Sequence, residues 1–519
     1  MTRGTATLEA RIRELAAAYR PLAVEILREA VRIPHDYVDR PVEQGGDPRC
    51  GLSNHEGPRL EYLRRMLVEH ACVARPEDAS FDDYGNLVWT VHDPEDGIEP
   101  ARKKVIYMDG HTDTVAALRE QWHEKLGGMD PYLGVTDWSR VDKGALRDSL
   151  GYLPPEDEWD YMVFGRGVAD QLGGVVAQMI ATKILLELRP LGALRGAIVR
   201  SIATAAEEDN DGGGPMFFMN QGLAGAPPER IPDAVILSEG TGDSAKGAVG
   251  IYRGQRGRMQ IEVEVIGRSC HGSMPWEGLN PLEYGARIIV EAREQYDARE
   301  GFKEHDFLGH GTRTASWARL ETPSDCAVPD AFVWRFDRRL TVGETPEDAL
   351  AAIEGLPAVA KARADGLTVH VRVPRYEEPT WKGYTPGNPM IYWGWLTPED
   401  HPAIEAARRA YADVVSPLVP ADSPQTGGAL RKECRVDRWI FSTDGVGFIV
   451  PADPAERGYE VPESKGWIRV GDVVHPPMFG CGPGIEQNTH KIGEAMDSRE
   501  LMCAIAFLAA FPSRFVQGG

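Results

Sequence analysis

Four apolar, strand-like runs in this chain each end within a few residues of a His, Asp or Glu. That repeated pairing restricts the fold more than any other feature. Ala197 to Ala203 leads into Ala206-Glu207-Glu208-Asp209, and Val105 to Met108 leads into His111 and Asp113. Val163 to Gly167 leads into Asp170, and Ala234 to Leu237 into Glu239. In an open α/β sheet, ligands collect outside the carboxyl ends of the strands. Four endings rich in metal-grade side chains therefore point to one convergent site, and the chain reads as a metallohydrolase.

The organisation supports an α/β fold. Leu8 to Val31 has helical spacing and stops at Pro34, and a second helix is expected at about 58–70. Strands at 86–91 and 105–108, then a helix from Leu172 to Leu188, predict a mostly parallel, helix-covered sheet. From about Gly250 the texture changes. Met259 to Val265 alternates as a half-exposed strand does, as do 332–336 and 367–373, with helices expected at 281–295 and 346–363. The economical division is a large domain over 1–249 and 380–519, interrupted by a small α+β domain over 250–379. Helices at 401–414 and 498–510 close the chain. Residues 35–57 read as a loop, and 116–160 as an insertion near the site, a lid or specificity loop.

Composition narrows the partners. With 79 acidic and 57 basic residues the net charge is −22, which opposes nucleic acid and anionic membranes. The seven cysteines are scattered without a C-x-x-C pair, which suits a reducing, cytoplasmic setting rather than a disulfide framework. The first residues enter a helical pattern with no signal-like apolar core, and no run approaches the ~20 apolar residues of a membrane span.

Each candidate side chain has a bland alternative. His111 and Asp113, two apart, point the same way in extended chain, so one can ligate while the other orients it; the alternative is a polar turn. Asp170 could merely cap a helix. Glu207 and Glu208 are adjacent carboxylates that repel unless they meet cations, which suits one metal ligand and one general base. Glu239 by itself fits turn chemistry, and His490, after the turn-rich Phe479–Gly484 segment, fits a surface residue. The set carries the argument: mixed His and carboxylate donors suit zinc, with manganese or cobalt as alternatives.

Gly110-His111-Thr112-Asp113-Thr114-Val115, Gly165 to Asp170, Glu207-Glu208 and the late His490 resemble the co-catalytic zinc aminoacylase/carboxypeptidase group. That group includes acetylornithine deacetylases, succinyl-diaminopimelate desuccinylases, glutamate carboxypeptidases and carnosine-type dipeptidases. Ile251 to Arg258 and Asp337 to Thr345 are similar to a branch described as selenium-metabolism-linked hydrolases. The resemblance implies a zinc-exopeptidase-like catalytic domain with an inserted ferredoxin-like lid and dimerisation domain. It implies two Zn2+ ions per subunit, one held by His111, Asp170 and Glu239, the other by Asp170, Glu208 and His490. Glu207 would be the general base and Asp113 would orient His111. His271, in Cys270-His271-Gly272-Ser273, would reach a partner subunit's site and help hold an oxyanion, which implies a homodimer or higher oligomer. Arg339 would bind a substrate carboxylate, and Ser442 and Thr443 lie in the expected substrate loop.

These readings converge on a metal-dependent hydrolase, deacylase or dipeptidase in type, that cleaves a C–N bond of a small carboxylate-bearing substrate. A ureido-type aminohydrolase using the same metals and a non-catalytic metal-binding assembly protein are the alternatives. The segments 35–57, 116–160 and 451–475 exceed the family minimum and are expected to narrow the substrate range.

Overall fold

The computed structural model describes residues 7–33, 55–134, 139, 141–153, 156–424 and 427–518. Most of the expected 35–57 loop lies outside these.

Helix α1 (Leu8–Val31) is capped by the Thr7 hydroxyl and buries Ile12, Ala16, Ala23, Ile26, Leu27 and Ala30, one face at helical spacing. Helix α2 (Gly57–Glu69) follows, then strands β1 (Ala79–Phe81), β2 (Leu87–His92) and β3 (Lys104–His111). The 116–160 segment is not a loose lid. It carries α3 (Arg119–Lys125) and α4 (Lys143–Leu150), whose Trp122, Leu146 and Leu150 pack with Trp159, Phe164 and Ala495 in a separate apolar cluster. Next come β4 (Met162–Phe164), α5 (Gly173–Glu187), β5 (Ala197–Thr204), the one-turn α6 (Glu207–Asn210), β6 (Ala234–Gly242) and β7 (Ile251–Gln255).

The small unit begins with β8 (Gly257–Ile266). It continues through α7 (Pro281–Asp297), β9 (Thr312–Glu321), β10 (Ala331–Leu340), α8 (Pro346–Glu354), α9 (Pro357–Ala364) and β11 (Thr368–Arg372). The helix expected over 346–363 is thus two, because Pro357 starts a new one. Strands β12 (Ile391–Tyr392) and β13 (Trp395–Leu396), helix α10 (Pro402–Ala410), β14 (Val436–Trp439), β15 (Met478–Ile485), β16 (Ala495–Asp497) and α11 (Ser498–Gln517) complete the main elements.

The large sheet runs β1-β2-β5-β3-β6-β15-β7-β13, with β14 also beside β7. Its centre, β5-β3-β6-β15, is parallel, and antiparallel strands extend it on both sides. Alternate residues of β3 enter two cores: Ile106 and Met108 face α1, α5 and α11, whereas Val105 and Tyr107 face Phe218, Trp395 and Trp439. Burial on both faces explains why these strands read as continuous apolar runs. Strand β15 departs from the expectation of a turn, since Phe479–Gly484 is a central strand. Its glycines serve close approach. A Cβ on Gly480 would lie 1.9 Å from the Trp439 ring, and one on Gly482 would lie 1.9 Å from the Ser238 carbonyl oxygen.

The second sheet, β9-β10-β8-β11 with β12 beside β8, is antiparallel. One face buries Met259, Ile261, Val263, Phe332 and Trp334 against α7, α8 and α9. The other face is polar. Helix α11 is long and apolar enough to cross a membrane, but 83% of its apolar window is buried inside this protein, against α1, α5 and α10. It is a core helix.

Candidate metal centre

Because β5, β3 and β6 are adjacent and parallel, their carboxyl ends share one edge of the sheet. His111 is the last residue of β3, Glu207 and Glu208 open α6 just past β5, and Glu239 lies inside β6. Strand β15, beside β6, leads through a short turn to His490. This topology is what brings together residues up to 379 positions apart in sequence. Ala206 and His490 sit at φ 63° and 61°, left-handed backbone that costs an L-residue about 1–2 kcal/mol and marks constrained functional turns.

Asp170 does not cap a helix. It sits at φ −125°, ψ 92° before α5 begins, and its carboxylate points into the site. Its Oδ1 lies 2.9 Å from His111 Nε2, and its Oδ2 lies 3.0 Å from His490 Nε2. His111 Nε2 is also 3.6 Å from Glu239 Oε2, and His490 Nε2 is 3.2 Å from Glu208 Oε1. Two triads result, His111–Asp170–Glu239 and Asp170–Glu208–His490, each with donor atoms within 4.8 Å of one another and with Asp170 in both. Glu207 Oε2 is 3.9 Å from His111 Nε2 and belongs to neither triad.

The electrostatics call for cations. Burial, reinforced by Asp170, pushes the carboxyls of Glu208 and Glu239 up to about 7. Burial also raises the Glu207 carboxyl well above its usual range, against the pull of His111. Burial would lower His490, but Asp170 and Glu208 carry it up to about 11. Asp170 itself stays below the usual carboxylate range despite burial, because His111 and His490 hydrogen-bond to it. Buried like charges at this density fit a pair of divalent ions held by N and O donors.

The surrounding groups fix these ligands. His111 Nδ1 lies 3.1 Å from the Asp113 main-chain oxygen and 3.4 Å from its carboxylate, which leaves Nε2 facing the site. The Asp113 carboxylate accepts the main-chain N–H groups of Glu207 and Glu208 at 3.0 and 2.8 Å. It therefore positions both acidic residues as well as the histidine.

Three groups were not anticipated from the sequence. The Gln171 amide donates to Glu239 at 2.9 Å. The buried Glu494 accepts the main-chain N–H groups of Gly167, Ala169 and Asp170 and pairs with Arg166 at 2.7 Å. Asp211 and Arg258 face the cavity together. Gln171 lies directly beside Asp170, and Arg166 and Arg258 lie inside segments already singled out, whereas nothing local marks Glu494.

The cavity holds about 420 Å³ and is lined by His111, Asp170, Glu207, Glu208, Glu239 and His490, with Arg258, Arg339 and Ser442 across from them. Two expected residues lie elsewhere. Thr443 is buried, with its hydroxyl donating to Gln255 and accepting from the Gly445 N–H, so it serves the loop rather than the cavity. His271 lies exposed in the small unit, its ring against Ser273, and does not line the cavity of its own subunit. Nor does any described residue of 116–160, whose apolar side chains face their own cluster. His475, in the 451–475 segment, is fully buried, and burial pushes it down to about 4.

Comparison with known proteins bears on the family and the fold. Residues 253–364 match the peptidase dimerisation domain of the M20 family. The chain is 32% identical over 410 residues to the uncharacterized protein YgeY of Escherichia coli, across 79% of this chain and 80% of YgeY. Its fold is similar to that of the di-peptidase Dug1p of Saccharomyces cerevisiae, with TM-score 0.61, 12% identity and 98% of each chain covered. It is also similar to Bacillus subtilis YXEP, described as a dinuclear metal binding peptidase from the M20 family, with TM-score 0.54, 13% identity and coverage of 97% of this chain and 100% of that one. The doubly shared Asp170, the inserted small sheet and these relationships together make the chain a hydrolase that belongs to the M20 metallopeptidase family.

Proposed function

We propose that this hydrolase cleaves the amide bond of a small carboxylate-bearing substrate, an N-acyl amino acid or dipeptide, with Glu207 as general base. His111, Asp170 and Glu239 would hold one divalent ion, and Asp170, Glu208 and His490 a second, zinc being the metal that suits this donor set best. Such a pair supplies Lewis acidity toward water and an amide carbonyl oxygen. Glu207 lies 3.9 Å from His111 of one triad and lines the same cavity as both without joining either, a position that suits a proton carrier. It takes a proton from the attacking water and delivers it to the leaving nitrogen. Arg339, with its Nη1 donating to Ser442 Oγ at 3.1 Å, receives the substrate carboxylate across the cavity. The dimerisation domain supports a homodimer, in which His271 serves the partner's site.

The observation that carries the reading is the division of Asp170 between two histidines, one per carboxylate oxygen. Metal analysis of the purified chain is expected to find about two ions per subunit, and Asp170→Asn to lose both, since each triad needs that residue. A panel of N-acyl amino acids, dipeptides and ureido acids tests the bond. Turnover of ureido acids alone would replace the amide reading with the aminohydrolase one.

A further inference from the structure

The wall opposite the metal triads has a feature that the amide reading leaves unused. Arg258 on β8 and Arg339 on β10 are directly paired across the two strands, so both side chains leave the same face of the small sheet. Both line the cavity. Like charges in direct cross-strand register destabilise a sheet unless something compensates them. Here Asp337 lies 3.6 Å from Arg258 Nε and 2.8 Å from Arg339 Nε. On its other side Arg258 pairs with Asp211, which also accepts the hydroxyl of the buried Tyr376. The two guanidiniums are held rigid from both flanks. Among the described residues the hydrogen bond of Arg258 runs from Nη1 to Asp211, its Nε is buried against Asp337, and 26% of its side chain stays exposed on the cavity wall. A buttressed guanidinium that keeps part of its surface open to a cavity is a receptor for a carboxylate.

We infer that Arg258 is a specificity-determining residue, and that the substrate carries a second carboxylate. Arg339 takes one carboxylate and Arg258 the other, so the preferred class is an N-acyl or peptidyl derivative of an acidic amino acid. This deepens the proposed amide hydrolysis and rests on that reading for the scissile bond. The cavity volume of about 420 Å³ suits a ligand of this size.

Calorimetry on the zinc-loaded full-length chain carrying Glu207→Gln, which prevents turnover, tests it with three probes: N-acetyl-L-glutamate, N-acetyl-L-aspartate and N-acetyl-L-norvaline. The expected result is that at least one dicarboxylate binds about 10-fold or more tighter than the norvaline derivative. Adding Arg258→Gln should abolish that preference while norvaline affinity holds, and Arg339→Gln should weaken all three. Arg258→Lys keeps the charge without the fork and should retain part of the preference, which covers the case in which the glutamine variant fails to fold. Equal binding of the three probes, or an Arg258 substitution that weakens all three by one common factor, overturns the inference and leaves Arg258 a structural clasp. The binding arms decide this independently of catalysis: a metal-loaded chain that hydrolyses no amide would remove the proposed function, yet the dicarboxylate preference would still stand or fall on the titrations.

Discussion

The two sheets put function in different places. The large sheet is covered on both faces, so its strand interiors are apolar and its chemistry collects where the chain leaves the strands, at His111, Glu207 and Glu208. The small sheet packs helices on one face only. Its chemistry lies on the other, polar face, where Arg258, Gln260, Glu262 and Glu264 of β8 sit opposite Arg339, Asp337, Arg335 and Val333 of β10. Covered parallel sheets offer only their ends to a ligand, whereas a half-covered antiparallel sheet offers a surface. The cavity forms where the end of one meets the surface of the other.

The comparison can be broken at several points. The largest effect is expected at the strand ends: Glu207→Gln should lower kcat by about 10²–10⁴-fold with melting temperature unchanged, read by steady-state kinetics and calorimetry. A variant with undiminished turnover would move the base elsewhere. Next is the covered face of the small sheet. Trp334 is fully buried and stacks on Phe332 with ring centroids 5.1 Å apart, so Trp334→Ala should cost about 3–5 kcal/mol in urea denaturation.

Third is a buried acid behind the large sheet. Glu500 accepts the Gly484 N–H at 2.8 Å, and burial, aided by Asp497, pushes its carboxyl from 4.5 up to about 8. The folded state therefore holds this proton more tightly than the unfolded chain. The associated stability is complete below pH 4.5 and is lost as pH rises toward 8, at about 1.4 kcal/mol per unit of pKa difference. Glu500→Gln, which keeps an acceptor for Gly484, should flatten the fall in urea midpoint between pH 5 and 8. An unchanged slope would assign the proton to another group.

The smallest effect is expected on the polar face. Arg372 bridges Glu262 and Glu264 at 2.8 and 2.7 Å, but its side chain is 49% exposed. Arg372→Ala should cost less than about 1 kcal/mol, with the difference shrinking in high salt. A cost comparable to that of Trp334→Ala would erase the distinction between the two faces.

Much of the site was legible because its ligands sit beside strong local signals. A run of β-branched residues ending at His111 or Glu207 states both the strand and the exit. Others left no such trace. Arg166 and Glu494 meet across 328 positions, and nothing near Glu494 marks it as the holder of the Asp170 turn. The glycines of Phe479–Gly484 suggest a turn, yet they permit a central strand to press against Trp439 and Ser238. Thr443 shared a motif with Ser442, but alternate residues of one loop need not face the same way, and its hydroxyl went to Gln255.

What the amino-acid order determined by itself was the periodic elements, the two textures that separate the sheets, and the residue types able to hold a metal. These follow from short-range spacing, which an apolar face must display to be buried. Only the tertiary structure decided that β3, β5 and β6 share an edge, that Asp170 divides its oxygens between two histidines, and that Arg258 stands opposite Arg339. Register and strand order are set by packing over the whole chain, and a slip of one residue in β10 would send Arg339 into the core and leave the cavity without that wall.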